Sequence, residues 1–374
     1  MKPTFVTFVG GWGESPVERM MASAHRAIAR DTLERAGASG AFEALVLVTD
    51  SANASEDWGE GISIEPAQGP FHFGHQLRDV VHKHDIQGVV YVGGGAMPLL
   101  SAEGLARLSQ QLSTAHETVI TNNLYSGDLV AFTPAEALDR VTLPTTDNPL
   151  PQLLCREAGL KSVTLPREVA TLLDVDTPTD LAILSIYPST GPCLRAYLDG
   201  LGLDTSRLLR AASLLTNPQV EVLVAGRVGS YVWSRLEEET ACRCRIISEE
   251  RGMRADGREA EGKVRSILGH YIEQVQPRRF FEGLSELGDA AFIDTRVLFH
   301  HLNLGLSASD RFLSDLMRPQ QIAHPWLRDF TQAALDAPIP VILGGHSLVS
   351  GGLLALAEVA WNTTDLVDKG RGVI

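Results

Sequence analysis

The feature that most constrains the fold is an alternation of short β-rich runs with longer helical patterns. An apolar run at residues 4–9 ends in glycines and is followed by a helical pattern at 17–36, and the same order recurs after 44–49 and 88–92. Strands separated by helical segments are typical of a mostly parallel sheet that is covered by helices on both faces. The sequence therefore predicts an α/β protein with a mostly parallel sheet in its first half.

A break in this pattern separates the two halves of the chain. Proline and glycine at residues 188–192 interrupt both periodicities, and the alternation resumes after them. Because a single hydrophobic core stops growing at about 250–300 residues, a chain of 374 residues favours two domains. We predict a first domain over residues 1–187 and a second α/β domain over 193–374, which contains long helical patterns at 193–215 and 259–287.

Composition narrows the choice of partners. Asp and Glu number 46 against 32 Lys and Arg, which gives a formal net charge of −14. Such a surface repels a phosphate backbone, so nucleic-acid binding is not expected. No uncharged apolar run approaches the ~20 residues that span a bilayer, and the first apolar stretch is too short for a signal peptide. We expect a cytoplasmic protein without a membrane partner.

A glycine-rich turn follows the first predicted strand. Gly10, Gly11 and Gly13 lead directly into the first helical pattern. Glycines let backbone N–H groups approach oxygen atoms, and a helix N-terminus adds a partial positive charge, so the turn could cradle a phosphate. The turn matches neither GxxxxGK[ST] nor a complete GxGxxG motif, and a tight connection between strand and helix explains it equally well.

Three further segments occur in an order that is typical of one family. RM at 19–20 and RAIARDTLER at 26–35 follow the turn, and YVGGGAMPLL at 91–100 and DVDTPTDL at 174–181 come later. The series resembles the nucleotidyltransferases with a glycosyltransferase-A-like (GT-A-like) Rossmann fold. That group includes the molybdenum-cofactor guanylyltransferases and the 2-phospholactate guanylyltransferases. The resemblance covers about residues 1–187, with Arg26 in place of the family's lysine and Ala96 in place of its aspartate.

The resemblance implies a reaction and the residues that carry it. A phosphorylated small molecule would attack the α-phosphorus of a nucleoside triphosphate, and pyrophosphate would leave. Arg19 and Arg26 would be the catalytic cations that clamp the phosphates, and Asp176 would be a ligand of Mg²⁺. The nucleotide would bind at the glycines of two loops: Gly10, Gly11, Gly13, Gly94 and Gly95.

The implied metal site lacks one ligand because Ala96 cannot bind an ion. Asp128 is the nearest carboxylate in sequence that could replace it, although a turn aspartate is also an ordinary role. Asp176 could instead cap the helix that follows it, and Arg26 could belong to a solvated helix face.

Two other functions therefore stay open. One is a catalytically degenerate nucleotide- or metabolite-binding regulatory protein that keeps the fold. The other is a glycosyltransferase, because DVD at 174–176 has the spelling of a DxD metal motif. In each case the chain could form a homo-oligomer.

The second domain offers polar clusters without a recognised motif. Six arginines between residues 243 and 265 are interleaved with acidic residues, which favours a solvated, salt-bridged surface over an anion site. The turn rich in glycine and serine at 344–352 could be an anion nest or a buried connection. No metal-binding spacing joins Asp294, Arg296 and the nearby histidines, so we assign them to packing or to the surface.

Overall fold

The chain forms two compact units. A computed structural model describes residues 1–67 and 69–371. Among the described residues, the first unit comprises those in 1–13, 22–174 and 191–197, and the second comprises those in 14–21, 175–190 and 198–371. One holds a seven-stranded sheet and the other a four-stranded sheet. The predicted fold class, an α/β protein with a mostly parallel sheet followed by a second α/β domain, is confirmed.

The sheet of the first unit is parallel except for one strand near its centre. Its strands are β1 (Thr4–Val9), β2 (Leu45–Thr49), β3 (Ile62–Pro66), β4 (Val89–Gly93), β5 (Thr118–Thr121), β6 (Leu129–Thr133) and β7 (Lys161–Thr164). Their order is β3-β2-β1-β4-β6-β5-β7, and β6 runs antiparallel to both of its neighbours. The chain moves from β1 to one edge and then returns to β4 on the other side of β1. Ligands of open α/β sheets bind at the carboxyl ends of the strands at such a switch point.

Alternate residues of the central strands pack into two cores, one on each face of this sheet. On β1, Val6 and Phe8 join one core, and Phe5 and Val9 join the other. Side chains alternate across a strand, so a strand buried on both faces is a continuous apolar run. The helices are α1 (Pro16–Ser39), α2 (Phe73–Lys83), α3 (Ala102–Ser113), α4 (Leu150–Arg156) and α5 (Val169–Leu172). Residues of α2 and α4 complete the first core, and residues of α1 and α3 complete the second.

The second unit contains a smaller sheet in which the strand pairs are parallel. Its strands are β8 (Glu221–Gly226), β9 (Arg243–Ser248), β10 (Ala290–Asp294) and β11 (Val341–Gly344), in the order β11-β10-β8-β9. A second switch point therefore lies between β8 and β10.

Nine further helices complete the described chain. They are α6 (Pro178–Ile186), α7 (Pro192–Leu201), α8 (Ser206–Ser213), α9 (Ser230–Glu239), α10 (Ile267–Ser285), α11 (Thr295–His301), α12 (Ala308–Asp315), α13 (Pro325–Leu335) and α14 (Leu353–Arg371). Among the residues that the structure describes, no helix combines the length and the apolar character that crossing a bilayer requires.

The division between the units differs from the single predicted boundary. Thr179 on α6 donates a hydrogen bond from Oγ1 to the carbonyl of Leu343 on β11 at 2.6 Å, which ties its segment to the second unit. Asp31 on α1 accepts the backbone N–H groups of Cys193 and Leu194 at 2.8 and 2.9 Å, which ties the start of α7 to the first unit. Individual hydrogen bonds determine which unit each segment joins.

Two predicted helical segments are shorter than expected. Residues 251–262 form turns, and α10 begins at Ile267. Three glycines in the turns have φ angles of 79°, 71° and 63°, which an α-helix does not contain: Gly252, Gly257 and Gly262. Likewise Gly202, with a φ of 57°, separates α7 from α8 within the predicted helix over 193–215.

Candidate functional site

The loop after β1 needs glycine for its backbone conformation. Gly10 and Gly11 have φ angles of 149° and 81°, which residues with side chains rarely adopt. A Cβ at Gly10 would lie 3.2 Å from Oδ2 of Asp50, whereas a Cβ at Gly11 would meet no atom within 4 Å. Gly13 is exposed like these two, but its φ is not in the left-handed region. The backbone at Gly10 and Gly11 is thus accessible to a ligand.

Gly94 and Gly95, after β4, serve close packing. A Cβ at Gly94 would lie 2.7 Å from the carbonyl oxygen of Phe8, and a Cβ at Gly95 would lie 2.3 Å from Cε1 of His25. The His25 ring stands edge-on to Trp12, with ring centroids 4.6 Å apart. Through His25, a residue that the sequence analysis did not single out, the loops after β1 and β4 meet at the switch point of the first sheet.

Three aspartates surround Tyr91 on β4: Asp128, Asp147 and Asp174. The Tyr91 hydroxyl donates a hydrogen bond to Oδ2 of Asp147 at 2.9 Å. Burial raises the pKa of Tyr91 well above its usual value, and the negative charges of Asp147, Asp128 and Asp174 raise it further. The phenol therefore stays protonated and remains a donor to Asp147.

Asp147 lies beside the position at which the resembled family has its aspartate. A Cβ at Gly93 would be 3.6 Å from both Cβ of Ala96 and Oδ2 of Asp147. Ala96 also forms an isolated antiparallel bridge with Asp174. The sequence analysis named Asp128 but missed Asp147, because Asp147 belongs to a segment, TTDNP, that has the composition of a turn and no metal-binding spacing.

Asn122 holds Asp128 in place. Nδ2 of Asn122 donates to Oδ2 of Asp128 at 3.1 Å, and Oδ1 of Asn122 accepts the backbone N–H of Asp128 at 3.2 Å. The two hydrogen bonds fix the orientation of the Asp128 carboxylate just before β6.

Arg26 is not part of a solvated helix face. Its Nη1 donates to Oδ1 of Asn53 at 3.3 Å, and its Nη2 donates to Oγ of Ser23 at 2.8 Å. Its Nε lies 3.6 Å from the Glu56 carboxylate. Asn53 in turn donates from Nδ2 to Oδ2 of Asp50 at 2.8 Å, the oxygen that a Cβ at Gly10 would approach. Hydrogen bonds therefore connect Arg26 through Asn53 to Asp50, which lies near the glycine loop.

Two predicted site residues, Arg19 and Asp176, belong to the second unit. Arg19 is exposed, donates a hydrogen bond to the carbonyl of Glu14, and lies 4.0 Å from the Glu14 carboxylate. Asp176 is also exposed, and the residue that caps α6 is Thr177, whose backbone N–H and hydroxyl donate to Oδ2 of Asp180 at 2.8 and 2.9 Å. The interpretation of Asp176 as a helix cap is therefore wrong, and its role as a metal ligand stays a prediction.

One group of side chains in the described part of the chain has the spacing of a three-ligand metal site. The ligand atoms of His270, Glu273 and His301 lie within 4.8 Å of one another. Nδ1 of His301 accepts the backbone N–H of Ser266 at 3.1 Å, so the ring carries its proton on Nε2, which faces Glu273 at 3.4 Å. A protonated ring nitrogen cannot bind a metal ion. The group therefore fits a hydrogen-bonded cluster better than a metal centre.

No protein-family model matches the sequence, and no curated protein matches it. Solved structures to which the chain is similar include a cytidylyltransferase from Leptospira borgpetersenii serovar Hardjo-bovis, at 16% identity and a TM-score of 0.37 over 53% of this chain and 92% of that one. Rv0371c from Mycobacterium tuberculosis H37Rv, also solved with manganese, is 18% identical with a TM-score of 0.37 over 49% of this chain and 98% of that one.

A third similar structure is the bifunctional IspDF from Campylobacter jejuni. It is 12% identical with a TM-score of 0.34 over 46% of this chain, and the chain spans about half (51%) of its length. TM-scores this low support no assignment of function, which is therefore argued from the residues of this chain.

Proposed function

We propose that the protein is an NTP-dependent nucleotidyltransferase-like enzyme that transfers a nucleoside monophosphate to a phosphorylated small molecule. An oxygen of the acceptor phosphate would attack the α-phosphorus, the bond from the α-phosphorus to its bridging oxygen would break, and pyrophosphate would leave. The observation that carries the proposal is the meeting of the loops after β1 and β4, beside Asp128 and Asp147, at the switch point of the first sheet.

The glycine loop and the arginines would hold the triphosphate. The exposed backbone at Gly10 and Gly11 can donate N–H groups to phosphate oxygens. Arg26, which is engaged with Asn53 and Glu56, would supply positive charge and hold the loop in position. The resemblance assigns to Arg19 and Asp176, which belong to the other unit, the roles of phosphate clamp and metal ligand, and these roles stay predictions.

Asp128 and Asp147 would hold Mg²⁺. Carboxylate oxygens suit this ion, which often binds one or two carboxylates and completes its octahedron with phosphate oxygens and waters. Within the described residues, the aspartates near Tyr91 do not bring three ligand atoms within 4.8 Å of one another, so two protein ligands fit best. The bound ion would neutralise part of the triphosphate charge.

Thermal unfolding of the full chain tests the nucleotide site. GTP or CTP with Mg²⁺ should raise the Tm, because a ligand that binds the folded state stabilises it. In the presence of Mg²⁺, Asp147→Asn should weaken the affinity of the protein for the nucleotide at least tenfold. Asp139→Asn removes an exposed carboxylate of the same unit and should have no effect. Unchanged affinity in Asp147→Asn would refute the metal role of Asp147.

Turnover tests the reaction itself. Pyrophosphate should appear when an NTP is paired with the right phosphorylated acceptor, and Asp176→Ala should abolish its release. Normal turnover in Asp176→Ala would remove Asp176 from the site.

A catalytically degenerate binding protein is the second candidate. Two observations favour it: Ala96 offers no ligand where the family has aspartate, and Arg26, in place of lysine, lies in an ion pair with Glu56. Calorimetry separates the two candidates. Nucleotide binding that does not depend on Mg²⁺, with no release of pyrophosphate, would favour the binding protein.

A further inference from the structure

The carboxyl edge of the second sheet carries a cluster of charged side chains. Three loops meet at the switch point between β8 and β10. A Cβ at Gly226, which ends β8, would lie 2.4 Å from Cβ of Asp294, which ends β10. Thr295 donates from Oγ1 to the carbonyl of Gly344, which ends β11, at 3.1 Å. The second unit therefore has its own location at which an α/β sheet binds a ligand.

Arg227 and Asp294 form a buried ion pair at this point. Nε and Nη2 of Arg227 donate to Oδ2 and Oδ1 of Asp294 at 2.5 and 3.1 Å, and the Asp294 side chain has no exposed surface. The φ of Gly226 is 119°, which turns the chain so that Arg227 lies over the end of β10. Burying two charges costs about as much as their attraction returns, so a well-packed apolar pair would stabilise the fold equally well. The pair holds the Arg227 guanidinium in a fixed plane at the end of the sheet.

A second buried pair lies next to the first. Nη1 and Nη2 of Arg296 donate to the two oxygens of Asp315 at 2.8 and 2.6 Å, and the backbone N–H of Arg296 donates to Asp294 at 3.2 Å. Arg311 on α12 is also partly buried, and burial, with the charge of Arg296, lowers its pKa. The prediction that Asp294 and Arg296 belong to packing or surface therefore missed a network of buried charges.

Two neutral histidines lie in this region. Burial lowers the pKa of His346, in the turn after β11, to about 4; the charge of Arg227 adds to the shift, and the charges of Asp294 and Asp176 oppose it. Burial also lowers the pKa of His300 on α11; Glu259 opposes this shift, and Arg311 and Arg227 reinforce it. Both rings are therefore neutral near pH 7, and each can donate or accept a hydrogen bond without adding charge.

The charges of this region leave one cation in excess. Five guanidinium groups and five carboxyl groups act on one another or on the two histidines: Arg227, Arg251, Arg254, Arg296, Arg311, Asp176, Asp180, Glu259, Asp294 and Asp315. Burial raises the pKa of Asp180 to about 8, so this group is uncharged near pH 7. Arg251 is exposed, and its Nη2 lies 3.9 Å from the position of a Cβ at Gly229, in the loop after β8. An excess of one positive charge matches the charge of a single phosphate group better than the larger charge of a triphosphate.

We propose that the carboxyl edge of the second sheet binds a phosphate group of a small molecule between Arg227 and Arg251. Of the five N–H groups on the Arg227 side chain, two donate to Asp294, and this fixes the plane of the guanidinium. The remaining donors can grip a phosphate in the paired geometry that arginine favours. The site does not depend on the function proposed for the first unit.

Calorimetric titration of the full chain with inorganic phosphate, at constant ionic strength, tests the site. The unmodified protein should bind phosphate, and Arg251→Ala should weaken the affinity at least tenfold. Arg278→Ala is the matched control, because Arg278 lies on α10 of the same unit and its side chain is 90% exposed. Arg227→Lys, which keeps the charge beside Asp294 but loses the paired donors, should also weaken binding at least tenfold.

Either of two results would overturn the proposal. One is the absence of phosphate binding to the unmodified protein, and the other is equal affinity in Arg251→Ala and Arg278→Ala. Because Arg251 is exposed, its removal does not threaten the fold. The Mg²⁺-dependent nucleotide shift should persist in Arg251→Ala, and phosphate binding should persist in Asp147→Asn, so failure of one site is distinguishable from failure of the other.

Discussion

At the scale of single residues, glycine has two separate uses in the first unit. Gly10 and Gly11 supply backbone angles, whereas Gly94 and Gly95 supply room for a neighbour. The sequence predicts the glycine loop because strand, turn and helix are contiguous there. It could not predict that His25 fills the space beside Gly95, or that Ala96 and Asp147 both lie close to Gly93, because these partners are distant in sequence and only the folded sheet joins them.

Replacing Gly95 by alanine should destabilise the fold. Its new Cβ would lie 2.3 Å from the His25 ring, which packs against Trp12 and has little room to move. We expect the free energy of unfolding to fall by about 1–3 kcal/mol, as is usual for overpacking. Gly200→Ala on α7, where a Cβ would meet no atom within 4 Å, should raise it by about 0.5–1 kcal/mol. Denaturant unfolding measures both, and equal effects would contradict the packing role.

Asp180 should make the protein less stable as the pH rises. Burial raises its pKa from 3.8 to about 8, and the charge of Asp176 contributes to the increase. Between these values the unfolded chain is ionised and the folded chain is protonated at this position, so stability falls as the pH increases through this window.

Asp180→Asn should remove the loss of stability at higher pH and keep an oxygen that accepts the hydrogen bonds of Thr177. Relative to the unmodified protein, the variant should gain stability from pH 5 to pH 8, by up to ~4 kcal/mol, because each unit of pKa shift corresponds to about 1.4 kcal/mol. Unfolding curves across this range measure the gain. Asp57→Asn is the exposed control, because the new amide oxygen can still accept the backbone N–H of Gly59, and parallel profiles for the two variants would contradict the assignment.

At the scale of elements, continuous apolar stretches predict the positions of the strands more accurately than helical periodicity predicts the ends of the helices. The central strands are continuous apolar stretches, and their positions agree with the structure. The direction of β6 could not be predicted, because a strand does not encode the orientation of its neighbours. The start of α10 was misplaced because the polar residues before it satisfy a helical pattern, whereas their glycines adopt left-handed angles.

Ser266 determines where α10 begins, and its removal should be measurable. Oγ of Ser266 accepts the backbone N–H of Gly269 at 2.9 Å and donates to Glu249. Ser266→Ala should reduce the free energy of unfolding by about 1–2 kcal/mol. Ser285→Ala, at the other end of the helix, removes only a hydroxyl that bonds to Glu282 within the same turn and should cost less than half as much. Denaturant unfolding that shows equal losses would rule out the capping role.

At the scale of the whole molecule, the chain contains two α/β sheets, and each has its own switch point. The sequence predicts the two units from the break at residues 188–192 and the length of the chain. It does not predict which unit receives each connecting segment, because single buried groups such as Asp31 and Thr179 decide this, and composition does not distinguish them from other polar residues.

Two separate sites should give two separate patterns of protection from hydrogen exchange. A nucleotide with Mg²⁺ should slow exchange around residues 10–13 and 93–95, because bound ligands suppress local opening. Inorganic phosphate, below the concentration at which it competes with nucleotide, should slow exchange around 226–229 and 344–346. Mass spectrometry of the peptides reads both patterns, and protection of the same segments by both ligands would contradict the assignment of two sites.

The carboxylate of Asp31 has a practical consequence for anyone who wishes to study the first sheet in isolation. A truncated chain that stops at residue 187 would lack the two amide groups that satisfy this buried side chain, which is only 2% exposed in the intact protein. Such a fragment should express poorly or aggregate. A synthetic peptide spanning residues 191–201 should rescue it in trans, much as a missing strand restores an incomplete fold.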